Sequence, residues 1–204
     1  MKQSVITISR EYGSGGRLIG QKIAEELGLP FYDKKLLTVA AQESGFSEDL
    51  LRQAESKAQN SLLYSLATGL GMGYYGPDSL SLYDKLFLAQ FDAIRHIAEK
   101  GPCVIVGRCA DFVLRDRTDC THFFLHAPIE KRIERAIDSY HIPAEEAPDA
   151  VKKTDRARAN YYAHYTGHKW GDSRLYHLSA DTSRLGVEKT AELLLSYLQL
   201  ADRR

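Results

Sequence analysis

No apolar run in this sequence approaches the ~20 residues needed to span a bilayer, and neither sign of charge is in excess. Its 27 Lys and Arg residues are matched by 27 Asp and Glu, for a formal net charge of zero. Such a balance gives no electrostatic footprint for DNA or RNA, so neither a membrane nor a nucleic acid is expected as partner. Cysteine is scarce: Cys103, Cys109 and Cys120 are odd in number, lack metal-site spacing and read as reduced, packed thiols, and no metal-ligating residue is assigned. Residues 1–4 show no signal-peptide pattern before the first strand, so the expected location is cytoplasmic. At 204 residues the chain suffices for one α/β domain with a substantial core, with room for a mobile subdomain.

What is abundant is glycine at one turn. From Ser4 to Leu27 the sequence runs SVITISREYGSGGRLIGQKIAEEL. Val5, Ile6 and Ile8 suit a strand buried on both faces, while Ile19, Ile23, Ala24 and Leu27 recur at helical spacing. Gly13, Ser14, Gly15 and Gly16 lie between them. Glycines let successive backbone N–H groups converge on one point, and the positive end of the next helix adds to that field, so the turn suits a phosphate. The alternative is a glycine-rich turn that binds nothing; Arg10 and Arg17 beside it argue for the phosphate.

The match to a P-loop, two glycines with four residues between them followed by Lys and then Ser or Thr, is partial. With Gly15 as the second glycine, Arg10 stands at the first, Gly16 replaces the lysine and Arg17 replaces the hydroxyl residue. The lysine reaches the outer phosphates and the hydroxyl binds magnesium. Arg17, one residue later, can recover the first loss, since a charge-assisted hydrogen bond is worth roughly 1.5–3 kcal/mol. It cannot recover the second.

Four more strands are expected, over Leu29–Asp33, Pro102–Gly107, Thr121–Ala127 and Tyr176–Ser179. Ligands bind at the carboxyl edge of an open parallel sheet, which makes Asp33 a candidate for acceptor contact or metal ordering, beside its alternative as an N-cap for residues 34–44. Arg108 follows the third strand, where its fork suits a monophosphate. Asp111 could orient Arg108 or a magnesium water. Ser47 reads as an N-cap after a break at Gly45, with another break at Asn60. Residues 69–77, with four glycines and a proline, read either as a mobile loop over a site or as a linker, and Tyr74 and Tyr75 either stack on a base or pack the loop. A long helix is expected from Leu80 to Lys100; its Gln90 either reads a base edge or sits on a solvated face. Pro128 opens a helix bearing Lys131, Arg132 and Arg135, and residues 144–165 form another with Asp155, Arg156 and Arg158. Such a pair can close over bound phosphates and bring positive charge to a transferring group, with Asp155 holding one arginine within its helix. Trp170 packs the base of this segment or stacks on adenine. A last helix is expected from Val187 to Leu200, with Asp202 to Arg204 frayed.

The motifs ITISREYGSGG, FYDK, VIVGRCAD, KKTDRARANYY, YTGHKWGD and DTSRLGVEKT together resemble the cytidylate kinase-like family, a branch of the P-loop nucleoside monophosphate kinases. The resemblance implies a three-layer α/β fold with a five-stranded parallel sheet: core residues 1–33, 101–130 and 170–204, a helical acceptor-binding insertion over 34–100 and a helical lid over 131–169. It implies transfer of the ATP γ-phosphate to a nucleoside monophosphate, with Mg2+. Arg10, Gly13, Ser14, Gly15, Gly16, Arg17 and Arg132 are then the candidate donor-binding residues. Asp33, Gln90, Arg108 and Asp111 are candidates for the acceptor, and Arg17, Arg156 and Arg158 for transfer. Cytidylate kinases keep the lysine and hydroxyl lost here at Gly16 and Arg17, and carry acidic residues near Val106 and Cys109, which leaves the acceptor open. The competing reading is a nucleotide-binding module with decayed chemistry, but such a module has little need of an arginine-rich lid.

Overall fold

The computed structural model describes residues 5–53 and 81–202. All four strand pairings are parallel, and the sheet order is β2-β3-β1-β4-β5. The strands are β1 (Val5–Arg10), β2 (Phe31–Tyr32), β3 (Val104–Val106), β4 (Cys120–His126) and β5 (Leu178–Asp181). The helices are α1 (Gly16–Leu27), α2 (Lys35–Ser44), α3 (Leu82–Glu99), α4 (Ala110–Val113), α5 (Ile129–Asp138), α6 (Ala147–Thr166) and α7 (Gly186–Ala201). Residues 48–53 are also helical.

Because strand side chains alternate between faces, β1 feeds two cores. Ile6 and Ile8 pack with Val104, Val106, Phe123 and Leu125 under Ile19 and Ile23 of α1 and Leu194 and Leu198 of α7. Val5 faces the other way, with Ile105, Cys103 and Cys120 against Ile94 and Ile97 of α3 and Val113 of α4. Helices thus cover both faces, the expected three-layer arrangement. Thr7 and His122 interrupt the second face as buried polar residues, and they satisfy one another through a 2.8 Å hydrogen bond between Oγ1 and Nδ1. Two smaller cores hold the helical excursions. Leu37, Ala40 and Leu51 pack against Leu86, Ala89 and Ala93 of α3, and Ala136 of α5 packs against Ala147 and Val151 of α6.

Most expected elements lie within two or three residues of their observed bounds. The shift at β5 has a local cause: the Asp172 carboxylate caps a 3-10 turn over Ser173–Leu175, which delays pairing until Leu178. Ser47 accepts from the Leu50 N–H, as an N-cap does. The expected break at Asn60 and the 69–77 loop with Tyr74 and Tyr75 lie outside the described residues. All three cysteines are buried free thiols, and burial pushes Cys103 up to about 12 and Cys120 up to about 11. Among the described residues, no helix is long and apolar enough to cross a membrane.

Candidate active site

The glycine turn between β1 and α1 is tied down on three sides. Ser14 donates its hydroxyl to the Glu11 carbonyl at 2.8 Å, and its own carbonyl accepts from the buried Thr182 hydroxyl at 2.7 Å. Arg135 donates from Nη1 to the Gly13 carbonyl at 2.6 Å. Gly13 has φ +81°, and a Cβ there would strike the backbone carbonyl of Arg132. The turn is pressed against the start of α5 at a distance only glycine allows.

Above this turn, at the carboxyl edges of β1, β2 and β3, lies a cavity of about 630 Å³ whose lining includes Arg10, Gly13, Gly16, Arg17, Lys34, Arg108 and Arg158. Only Glu11 and Asp33 line it with negative charge among the described residues. Glu11 is spent on Arg132, 3.2 Å away, and on the Ala127 N–H. Asp33 lies between two arginines, with Oδ2 at 2.8 Å from Arg17 Nε and Oδ1 at 3.5 Å from Arg108 Nη1. It does not cap α2, whose start has no side-chain cap. Arg108 also donates from Nη1 to the Asp33 carbonyl at 2.8 Å. The chain reaches that position through Gly107, Arg108 and Cys109, all with positive φ (+80°, +52° and +56°). For the two non-glycine residues this conformation costs about 1–2 kcal/mol each, which the surrounding packing holds in place.

Arg158 enters from α6. Its Nη1 donates to the Arg10 carbonyl at 2.9 Å, and its guanidinium lies 5.5 Å from the centre of the Tyr12 ring. Burial lowers its pKa. Arg10 is brought down to about 9 by burial first and then by the charge of Arg158, and it stays protonated at neutral pH. The lining therefore carries surplus positive charge held in a partly desolvated space, which favours a polyanionic ligand.

The remaining wall is polar and aromatic. Gln90 is buried in α3, and its Oε1 accepts from the Tyr161 hydroxyl at 3.2 Å. It is not on a solvated face. Leu86, Tyr140, Tyr161, Tyr162 and Trp170 complete this side. Trp170 also packs edge-on against Phe124, with ring centres 5.5 Å apart. Tyr12, Tyr140 and Tyr161 had no role in the sequence reading. The signal for Tyr161 was available, since it lies three residues after Arg158 and so shares its face of α6.

Five expected site residues do not line the cavity: Ser14, buried with its hydroxyl on the Glu11 carbonyl, and Gly15 belong to the turn itself, and three lie elsewhere. Arg132 is buried and committed to protein groups: Nε donates to the Ala127 carbonyl at 2.9 Å, and Nη1 donates to the Tyr12 carbonyl and pairs with Asp155. It fastens α5 to α6 and to the glycine turn. Asp155 accordingly pairs across helices, not within its own, and also accepts from the Tyr12 N–H at 2.7 Å. Arg156 is exposed and does not line the cavity. Asp111 is buried behind the wall, where it accepts from the Tyr162 hydroxyl at 2.6 Å and the Ser9 hydroxyl at 3.2 Å, with its pKa raised by burial. It orders side chains of the wall, not a ligand in the cavity.

The cationic lining and the glycine turn fit a nucleoside triphosphate. A magnesium cage made of protein groups is absent: among the described residues no cluster of three His, Cys, Asp or Glu is placed to hold a metal.

The chain is 28% identical over 200 residues to the cytidylate kinase of Methanopyrus kandleri, covering 93% of this chain and 90% of that one. It is 25% identical over 190 residues to the cytidylate kinase of Aeropyrum pernix, covering 92% and 95%. Among solved structures, an uncharacterized protein of Eubacterium ventriosum superposes with a TM-score of 0.72 at 27% identity, over 97% of this chain and 99% of that one. Shikimate kinase of Acinetobacter baumannii shares the fold, with a TM-score of 0.53 at 12% identity over 98% and 96%. With a parallel sheet in this order, a glycine turn at its edge and a family model that matches residues 5–184, the chain belongs to the cytidylate kinase-like family.

Proposed function

We propose that this chain is an ATP-dependent kinase that transfers the γ-phosphate to a nucleoside monophosphate or a similar small phosphorylated acceptor. The observation that carries this reading is the convergence of Arg10, Arg17, Arg108 and Arg158 on one cavity beside the glycine turn, with Asp33 between two of them. Phosphoryl transfer requires little covalent chemistry from the protein and proceeds by positioning and charge neutralisation. In this reading the turn from Gly13 to Arg17 receives the donor phosphates. Arg108 takes the acceptor phosphate, with Gln90 and the tyrosines around it facing the acceptor's remainder. Arg158, delivered by α6, neutralises charge on the transferring group. Helices α2 and α3 belong to an acceptor-binding insertion over residues 34–100, and α5 and α6 to a lid over 131–169. Magnesium bound with the nucleotide would supply further charge neutralisation.

The test is ADP production from magnesium ATP against a panel of ribo- and deoxyribonucleoside monophosphates, with a no-acceptor control. Acceptor-dependent turnover is expected, and its absence across the panel sinks this acceptor class. Arg17, where a metal-binding hydroxyl would stand, favours a second reading: a nucleotide-binding module without transfer. That reading predicts ATP binding with no turnover under the same conditions.

A further inference from the structure

Two of the loop's three departures from a P-loop, Arg10 and Gly16, are not independent in three dimensions. A Cβ on Gly16 would lie 2.6 Å from Cβ and 2.9 Å from Cγ of Arg10, so the stem of Arg10 fills the space into which a side chain at position 16 would emerge. The same arginine then continues to β3, where a Cβ on Gly107 would collide with its Nη1. Arg10 and Gly16 therefore form one steric unit, since the fixed stem of the first requires no side chain at the second, while Gly107 leaves room for the flexible end of Arg10 where it now lies. A lysine at position 16 and this arginine at position 10 exclude each other.

The guanidinium of Arg10, unlike those of Arg17, Arg108 and Arg158, is not engaged by the protein itself; Lys34, also without a side-chain partner among the described residues, is exposed. Arg17 and Arg108 meet Asp33, and Arg158 meets the Arg10 carbonyl. Among the described residues the Arg10 side chain makes no hydrogen bond or ion pair. Burial and the like charges of Arg158 and Arg108 work against its charge, and the Asp33 carboxylate works for it. A cation desolvated beside two others, with a carboxylate already shared by Arg17 and Arg108, gains little from folding; a polyanionic ligand would complement it.

We propose that Arg10 makes the polyphosphate contact that a lysine at position 16 makes in an ordinary P-loop, reaching the phosphates from the opposite end of the turn. This assignment rests on the kinase reading and gives Arg10 the part that the sequence reading expected of Arg17. Arg17 is half exposed, and its Nε is paired with Asp33.

Calorimetric titration of the full chain with magnesium ATP and with inorganic tripolyphosphate tests it, together with thermal unfolding in the absence of ligand. Arg10→Met keeps most of the stem and removes the charge. It is expected to weaken both ligands roughly 10- to 100-fold, the loss of one charge-assisted contact, while the unfolding temperature stays level or rises. Gly16→Lys alone is expected to lose binding through collision with Arg10. The double exchange Arg10→Gly with Gly16→Lys is expected to recover affinity to within about tenfold of the original. Wild-type affinity in Arg10→Met, a lowered unfolding temperature with affinity retained, or a double variant no better than Arg10→Gly would each overturn the assignment. If the unaltered chain binds neither ligand, this proposal and the kinase reading fall together. If it binds ATP through Arg10 but turns over no acceptor, only the kinase reading falls.

Discussion

Replacing Asp155 with alanine removes the carboxylate that joins α6 to the glycine turn. Oδ1 accepts from the Tyr12 N–H at 2.7 Å, and Oδ2 pairs with Arg132, whose side chain is only 9% exposed against 17% for Asp155. Breaking a buried pair from one side costs about 3–5 kcal/mol, because the other charge remains buried. Here Arg132 keeps Glu11 at 3.2 Å and the carbonyls of Ala127 and Tyr12, so the lower end applies, about 3 kcal/mol. For a domain of this size that corresponds to a fall of roughly 6–12 °C in unfolding temperature. Asp155→Asn can keep the Tyr12 contact but loses the charge, and about half the effect is expected. Urea and thermal unfolding measure both variants, with Arg156→Ala as the control one residue away. That residue is exposed, and its loss should stay within about 0.5 kcal/mol. An Asp155→Ala variant as stable as the control would refute the view that this carboxylate clamps the helices to the turn.

Three other outcomes follow from the same geometry. Arg158→Ala should abolish acceptor-dependent transfer and leave ATP binding nearly intact; equal loss of both, read by turnover and calorimetry, would remove its role in transfer. Gly13→Ala should cost about 2–5 kcal/mol, since it combines a left-handed backbone with a collision against the Arg132 carbonyl. Gly28→Ala, at φ +63° with open space around it, should cost only about 1 kcal/mol in the same denaturation assay. Burial and the neighbouring His177 lower His122 from 6.5 to about 4, so the folded chain resists a proton that the unfolded chain accepts. Its contribution is therefore intact above pH 6.5 and is lost as pH falls toward 4, on the order of 3 kcal/mol in all. Unfolding temperature against pH should fall more steeply in the wild type than in His122→Gln over that window, and parallel curves would contradict the assignment.

The sheet and its helices were legible because their signals are local. Ile6 and Ile8, Ile19 and Ile23, and the glycines at 28 and 45 report on their own segments through period and punctuation. Part of the site was legible for the same reason: a glycine turn after the first buried strand, and Asp33 and Arg108 at strand ends, fall at the edge where a parallel sheet holds ligands. The arginines were harder to sort. Arg156 and Arg158 are two residues apart in a helix and therefore project about 200° apart, so only one of them can face the cavity. The spacing showed that much. Which of the two faces inward was decided by Val151 and Ala147, whose packing on Ala136 fixes the rotation of α6.

The sequence by itself determined the strand–glycine–helix opening, the parallel α/β class and the pool of arginines. It did so because hydrophobic period and glycine positions act over a few residues. Tertiary structure alone decided how those arginines divide. Arg132 faces two carboxylates and becomes a clamp, Arg17 is drawn to Asp33, and Arg10 crosses Gly16 to reach Gly107. Each of those assignments depends on contacts between residues tens of positions apart, or on which of two atoms fills a shared space. No spacing along the chain encodes such a contact; it exists only once the sheet has brought the strand ends together.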